Sequence, residues 1–193
     1  ELDLLRNLRY RGFDSRTLDA TFVPDGADAL EHAVARLCSE AESAADDGIS
    51  FIIISDRGVS GDRVPVPSLL ALSAVHQHLV SVKKRLRTAL VVESGEPREV
   101  EHFALLIGYG ANAVNPYMAL AAVQDMVESG RVRLDADTAE ANYLHAVDKG
   151  LLKVMSKMGV STIRSYRGSR LFEAVGLDQS LMDDHFGGTT SAV

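Results

Sequence analysis

Apolar and polar residues recur along this chain on two different periods. Between residues 28 and 47, Leu30, Ala33, Val34, Leu37, Cys38 and Ala41 fall at spacings of three and four, which predicts a helix with one buried face. Gly48 stands where that helix would stop. Ser50-Phe51-Ile52-Ile53-Ile54-Ser55 and Thr88-Ala89-Leu90-Val91-Val92-Glu93 are unbroken apolar runs, the pattern of strands buried on both faces. Shorter strands are predicted over 18–23, ended by Pro24-Asp25-Gly26, and over 111–115. Pro67 and Pro97 occupy helix-start positions, with helices predicted over 68–82 and 98–109. A further helix is predicted over 117–129, closed by Gly130.

Strand and helix thus alternate, with connections too long for hairpins and suited to crossovers. The predicted fold is α/β: a parallel sheet with alternating strands and helices, either an incomplete barrel or an open three-layer sandwich, carrying a helical extension at its C-terminus. Residues 131–138 are polar and read as a linker and helix cap, which places a domain boundary between 133 and 134. A long helix over 139–158 follows, with Leu144, Val147, Leu151, Met155 and Met158 as its apolar stripe and Gly159 as its stop. Beyond it come a predicted strand over 161–165 and a short helix over 169–175. The last seven residues offer little to bury. With Glu1 in place of a methionine at the start, the sequence reads as an excised piece.

Composition narrows the function classes. With 46% hydrophobic and 24% charged residues, the chain has the balance of a folded globular protein. Its net charge of −7 argues against a nucleic-acid footprint, and no apolar run approaches the ~18 residues of a membrane span. No signal peptide is visible. The one basic run, Lys83-Lys84-Arg85-Leu86-Arg87, reads as a solvated connection. A single cysteine, Cys38, leaves no disulfide framework, which suits a cytoplasmic setting, and supplies too few thiolates for an iron–sulfur cluster.

Ligands of parallel sheets and barrels bind at the C-terminal ends of strands. Here those ends carry Asp56, Arg57, Glu93, Ser94 and Asn115. One reading is a pocket, with Arg57 clamping an anion and the carboxylates moving protons. The plainer reading, which the spacing favours, is that these residues cap helices and pair with one another. Gly108-Tyr109-Gly110-Ala111-Asn112-Ala113 has the letters of a dinucleotide fingerprint, but it follows a helix and opens a strand, the reverse of what pyrophosphate binding needs. The histidines, among them His76 and His78, lack metal-ligand spacing. Lys157 suits a helix C-terminus without further role. Cys38 reads as a small core residue.

Several longer blocks carry a resemblance: Thr17-Leu18-Asp19-Ala20-Thr21-Phe22, Ile54-Ser55-Asp56-Arg57-Gly58, Leu90-Val91-Val92-Glu93-Ser94-Gly95-Glu96, Val114-Asn115-Pro116-Tyr117, Gly150-Leu151-Leu152-Lys153-Val154-Met155-Ser156-Lys157-Met158-Gly159 and Ser165-Tyr166-Arg167-Gly168. In this order they resemble the large subunit of glutamate synthase across essentially the whole chain. The resemblance implies that residues 1–133 are that enzyme's central, linking domain and residues 134–193 the start of its FMN-binding synthase domain.

It further implies a parent that makes L-glutamate from L-glutamine and 2-oxoglutarate. That parent uses FMN and a [3Fe–4S] cluster, with electrons from ferredoxin or from NADPH through a small FAD-bearing subunit. The implied partners are the remaining domains of the large subunit and that small subunit or ferredoxin. No family catalytic residue carries over, because no N-terminal cysteine nucleophile and no cysteine cluster is present. Met155, Ser156, Lys157, Met158, Gly159 and Ser161 form the nearest approach to a flavin site. The expectation is a structural piece without cofactor or activity of its own. The alternatives are a partial FMN or 2-oxoglutarate binding unit and a free-standing α/β binding module.

Overall fold

A computed structural model describes residues 2–7, 12–169 and 171–192. Its centre is a four-stranded parallel sheet of β1 (Ser15–Asp19), β3 (Phe51–Ser55), β5 (Ala89–Glu93) and β6 (Ala113–Asn115), side by side in chain order. Helices α2 (Ala29–Asp46), α3 (Ser68–Ser81) and α4 (Val100–Gly108) connect successive strands. Crossovers of a single hand between strands in chain order put every helix on the same face, as in a barrel wall. Side chains confirm this. Leu18, Ile52, Ile54, Leu90 and Val92 share one core with Val34, Leu37, Leu72, Val75 and Leu106 of the helices. Ile53 and Val91 alternate to the other face and are also buried. The fold is therefore the predicted α/β parallel sheet, in its barrel-like form.

That second face is concave and is roofed by α1 (Leu2–Arg6), a short N-terminal helix. Leu2 and Leu5 border a cleft of about 610 Å³ with Val91, Ala113 and Leu120. Ser15 Oγ donates to the Arg6 carbonyl at 3.1 Å, tying α1 to the first strand. A two-residue ribbon, β2 (Thr21–Phe22) antiparallel to β4 (Val64–Pro65), closes the rim beside β1.

The C-terminal helices lie against this wall. α5 (Tyr117–Glu128) leads to α6 (Ala136–Lys157), which starts at once after the cap: Asp135 accepts the Thr138 N–H at 2.9 Å. Val147, Leu151 and Met155 of the predicted stripe are buried, whereas Leu144 and Met158 are largely exposed. Gly150 sits against Val100, and Leu151 and Met155 join Ala104 and Tyr166 in a second core. α6 therefore runs beside α4 in the same direction.

Four expectations change. β1 begins at Ser15, three polar residues early, and breaks at Ala20 because it is an edge strand whose ladder stops there. Residues 161–165 are not a strand; Thr162 caps the Ser165 N–H and starts a four-residue helix, α7 (Ile163–Tyr166). Residues 169–175 are not helical, and Ala174–Val175 forms a strand (β7) paired with Ser191–Ala192 (β8). That pairing holds down a tail that looked unburied. Between these two strands, α8 (Gln179–His185) packs on α3, Ser73 Oγ donates to the His185 carbonyl, and Thr189 meets the Tyr109 hydroxyl at 2.8 Å.

The basic run is also not simply solvated. Lys84 pairs with Glu42 and Asp46, both at 2.7 Å. Arg85 turns inward: its Nε donates to His76 Nδ1 at 2.9 Å and its outer nitrogens donate to the carbonyls of Thr88 and Gly110. Gly110, at φ +122°, leaves room for the His76 ring, and Gly108 leaves room for the Phe172 ring, which explains the two glycines of the fingerprint-like turn. Burial, with the charges of Arg85 and Arg167, pushes His76 down to about 4.

Two stability predictions follow from these contacts. Gly150→Ala should cost about 1–2 kcal/mol by overpacking, despite better helix propensity, and Val100→Ala in the same chain should recover part of it; urea midpoints check this. His76 stays neutral in the fold while it takes up a proton unfolded, so stability should fall as pH drops from about 6.5 to about 4. His76→Asn should flatten that slope, which carries up to about 3 kcal/mol, in denaturation measured across the window.

Candidate functional site

Parallel register aligns the strand ends into one row. Asp19 pairs with Ser55, Ser55 with Glu93 and Glu93 with Asn115, so four polar side chains form a rung on the concave face at its C-terminal edge. One rung below stand Thr17, Ile53, Val91 and Ala113, of which Ile53 and Val91 are buried.

Glu93 is the centre of the rung and is 1% exposed. Its carboxylate accepts from Ser55 Oγ, from Arg57 Nε at 2.6 Å and from the Arg6 guanidinium on α1. A buried carboxylate needs this many donors to remain in place. Arg57 also lies over the Tyr117 ring, 4.2 Å from its centroid, at the start of α5. Asp56, just past β3, is buried as well; it accepts from Ser94 Oγ at 2.5 Å and from the Gly95 N–H at 3.1 Å. Burial and the neighbouring Asp56 raise the Tyr117 phenol to about 12, so it stays a neutral donor. Asn115 Oδ1 is buried without a hydrogen-bond partner among the described residues.

At the β1 end the groups form a separate clamp. Asp19 accepts from the Thr21 N–H and hydroxyl and from Arg63 at 2.8 Å, while Arg36 and Arg63 both donate to the Thr21 carbonyl. Against the burial that would raise it, these bonds hold the Asp19 carboxyl below its ordinary value.

Of the residues singled out in the sequence, Asp56, Arg57, Glu93, Ser94 and Asn115 do come together, and they do so largely by pairing with one another. Asp19, Ser55, Arg6 and Tyr117 belong to the same edge and were not singled out. Asp19 and Ser55 close their strands as Glu93 does, a signal the aligned strand ends carried. Arg6 and Tyr117 are brought in by tertiary packing alone.

Met155, Ser156, Lys157, Met158, Gly159 and Ser161 lie elsewhere. α4 starts near the rung and ends at the opposite edge of the sheet, and α6 follows it. The end of α6 is thus carried away from Glu93. Met155 is buried and the other five are exposed; Met155, Ser156, Gly159 and Ser161 border a groove of about 350 Å³. The two sets are not brought together.

At the rung, an anion would face the Asp56 and Glu93 carboxylates, and the guanidiniums of Arg6 and Arg57 are already engaged by Glu93; Lys157 stands on an open surface. Cys38 is half-buried on α2, and burial pushes its thiol up to about 11, the reverse of what a cluster-bound thiolate requires. Among the described residues, no helix is long and apolar enough to cross a membrane.

Comparison with known proteins decides the family. The model of the glutamate synthase central domain matches residues 1–178. This chain belongs to the glutamate synthase central-domain family. It is 42% identical to the NADPH glutamate synthase large chain of Bacillus subtilis over 97% of its own length and 12% of that protein's. It is 42% identical to the NADH glutamate synthase of Schizosaccharomyces pombe, over 9% of that protein. A ferredoxin-dependent glutamate synthase of Synechocystis is 39% identical over 88% of this chain. The chain thus spans about a tenth of the length of the relatives it matches. In fold it is similar to a mutant flavocytochrome b2 with benzoylformate, at a TM-score of 0.52 and 14% identity, over 68% of this chain and 31% of that one. The parallel sheet of this chain, with its crossover helices on one face, is therefore built like a section of barrel wall.

The rung makes its own prediction. Glu93→Gln should destabilise the chain by about 2 kcal/mol, because a neutral amide leaves two guanidiniums facing a buried site. Arg57→Ala should cost less than about 1 kcal/mol, since its side chain is 51% exposed and Arg6 and Ser55 still serve Glu93. Urea unfolding midpoints at constant slope measure both.

Proposed function

We propose that this chain is the central part of a glutamate synthase large subunit. Its task is to hold an ammonia-releasing site and an FMN site in register and to line part of the route between them. The observation that carries this reading is the match itself: nearly all of this chain corresponds to about a tenth of each relative. The larger share of each relative, and the room for its catalytic sites, lies outside that stretch. The polar rung supports a structural role, since Glu93 is occupied by this chain's own Arg6 and Arg57 and Asp56 by its Ser94 hydroxyl. Ammonia released into bulk water would be protonated and diluted before use, so two such sites need a rigid, closed connection.

In this reading residues 1–133 are the central domain and residues 134–193 the start of the FMN-binding synthase domain, with α6 as the join. The complete cytoplasmic enzyme is an oxidoreductase that makes L-glutamate from L-glutamine and 2-oxoglutarate. FMN and the [3Fe–4S] cluster are held by other parts of it, and electrons come from ferredoxin or from a small FAD-bearing subunit.

The purified chain, given glutamine, 2-oxoglutarate and a reductant, should form no glutamate and should elute from gel filtration without bound FMN. Glutamate formation would overturn the structural role, and stoichiometric FMN would make the chain a flavin-binding unit instead. In the complete large subunit, Gly150→Ala should loosen α6 against α4 and raise the glutamine hydrolysed per glutamate formed above parity. An unchanged ratio counts against the bridging role.

A further inference from the structure

The cleft of about 610 Å³ beside α1 opens at the end of β6, on the concave face of the sheet. A space of that size is in the range of pockets that hold small molecules. Its walls are aliphatic: Leu2 and Leu5 come from α1, Val91 and Ala113 from the sheet, Leu120 from α5 and Leu144 from α6. The two residues with polar side chains on its border are Asn115 and Glu140, and no cationic side chain among the described residues borders it.

Glu140 stands near the start of α6 and is half-buried. One of its carboxylate oxygens accepts from Gln124 Nε2 of α5 at 2.5 Å, a neutral donor, and the other accepts nothing among the described residues. Leu144 lies one helical turn further on, so a carboxylate and an apolar side chain stand side by side on one face of α6. Across the cleft, Asn115 Oδ1 is buried without a hydrogen-bond partner among the described residues. An orphan acceptor in a folded protein calls for a donor, and a carboxylate without a cation at an aliphatic wall calls for positive charge. A ligand that meets both demands carries an N–H-bearing cation on an apolar body. An acid of the same shape would meet repulsion from Glu140.

The roof allows entry. α1 has five residues, none of them buried, and its ties to the body are made from Arg6 at its C-terminal end, to Glu93 and to the Ser15 hydroxyl. A short helix held at one end opens at low cost to the sheet beneath it. Leu2, at the untied end, is the residue that moves furthest.

We propose that this cleft binds an apolar primary amine in its ammonium form, with the charge at Glu140 and Asn115 and the carbon chain along Leu2, Leu5, Leu120 and Leu144. The inference rests on the lining of the cleft and stands whether or not the chain bridges two sites of a larger enzyme.

Isothermal titration of the chain at neutral pH and matched ionic strength, with n-hexylammonium chloride, sodium hexanoate and ammonium chloride in turn, tests the proposal. Hexylammonium should bind saturably, one per chain, and about tenfold or more tighter than either of the others. Glu140→Gln should weaken it about tenfold, the loss of one charged hydrogen bond. Ala113→Leu keeps Glu140 and fills the cleft; it should abolish binding, and it decides the matter if Glu140→Gln fails to fold by circular dichroism. Hexanoate bound as tightly as hexylammonium would show that the carboxylate does not select the ligand, and ammonium bound as tightly would show that the apolar walls do not. Either result overturns the proposal, as does the absence of saturable binding or binding unchanged in the folded variants.

Discussion

Four parallel strands laid side by side in chain order place all their crossover helices on one face, and the other face must be covered by something else. The rest of the molecule answers that constraint. The helical face is filled by an ordinary core of Ile52, Ile54, Leu90 and Val92 against α2 and α3. The concave face receives α1, a short helix with no buried residue of its own, whose Arg6 reaches Glu93. Parallel register then makes the strand ends coincide, so Asp19, Ser55, Glu93 and Asn115 become neighbours although they lie far apart in sequence. A carboxylate in such a row is held by what surrounds it, and Ser55, Arg57 and Arg6 all converge on Glu93.

Most of this architecture was legible because the two central strands are fully apolar and the helices between them are strictly periodic. What was misread has physical causes. β1 starts on Ser15-Arg16-Thr17 because an edge strand tolerates polar residues on its open side. Residues 161–165 have strand-like letters, but the Thr162 side chain caps the local N–H groups and turns them into α7. The tail seemed unable to bury itself because its partner, the Tyr109 hydroxyl, lies 80 residues away. At the candidate site, the residues at strand ends could be named from sequence. Arg6 and Tyr117 could not, since only tertiary packing brings them there.

The two edges of the sheet hold their charges differently. At the C-terminal edge, the buried carboxylates of Glu93 and Asp56 are compensated by arginines and hydroxyls. At the other edge, Arg85 is met by carbonyls and a neutral imidazole, and Lys84 by Glu42 and Asp46. The polar groups of this wall serve chiefly one another.

One glycine has a mechanical meaning. Only at Gly150 does α6 approach α4 closely enough to receive Val100, and a one-turn slide would bring Ala146 or Val154 there instead. The helix is thus pinned against sliding. Its 22 residues span about 33 Å, and the pin lies about two-thirds of the way along, between the Tyr143 bond to the Arg98 carbonyl and the packing of Met155 with Ala104.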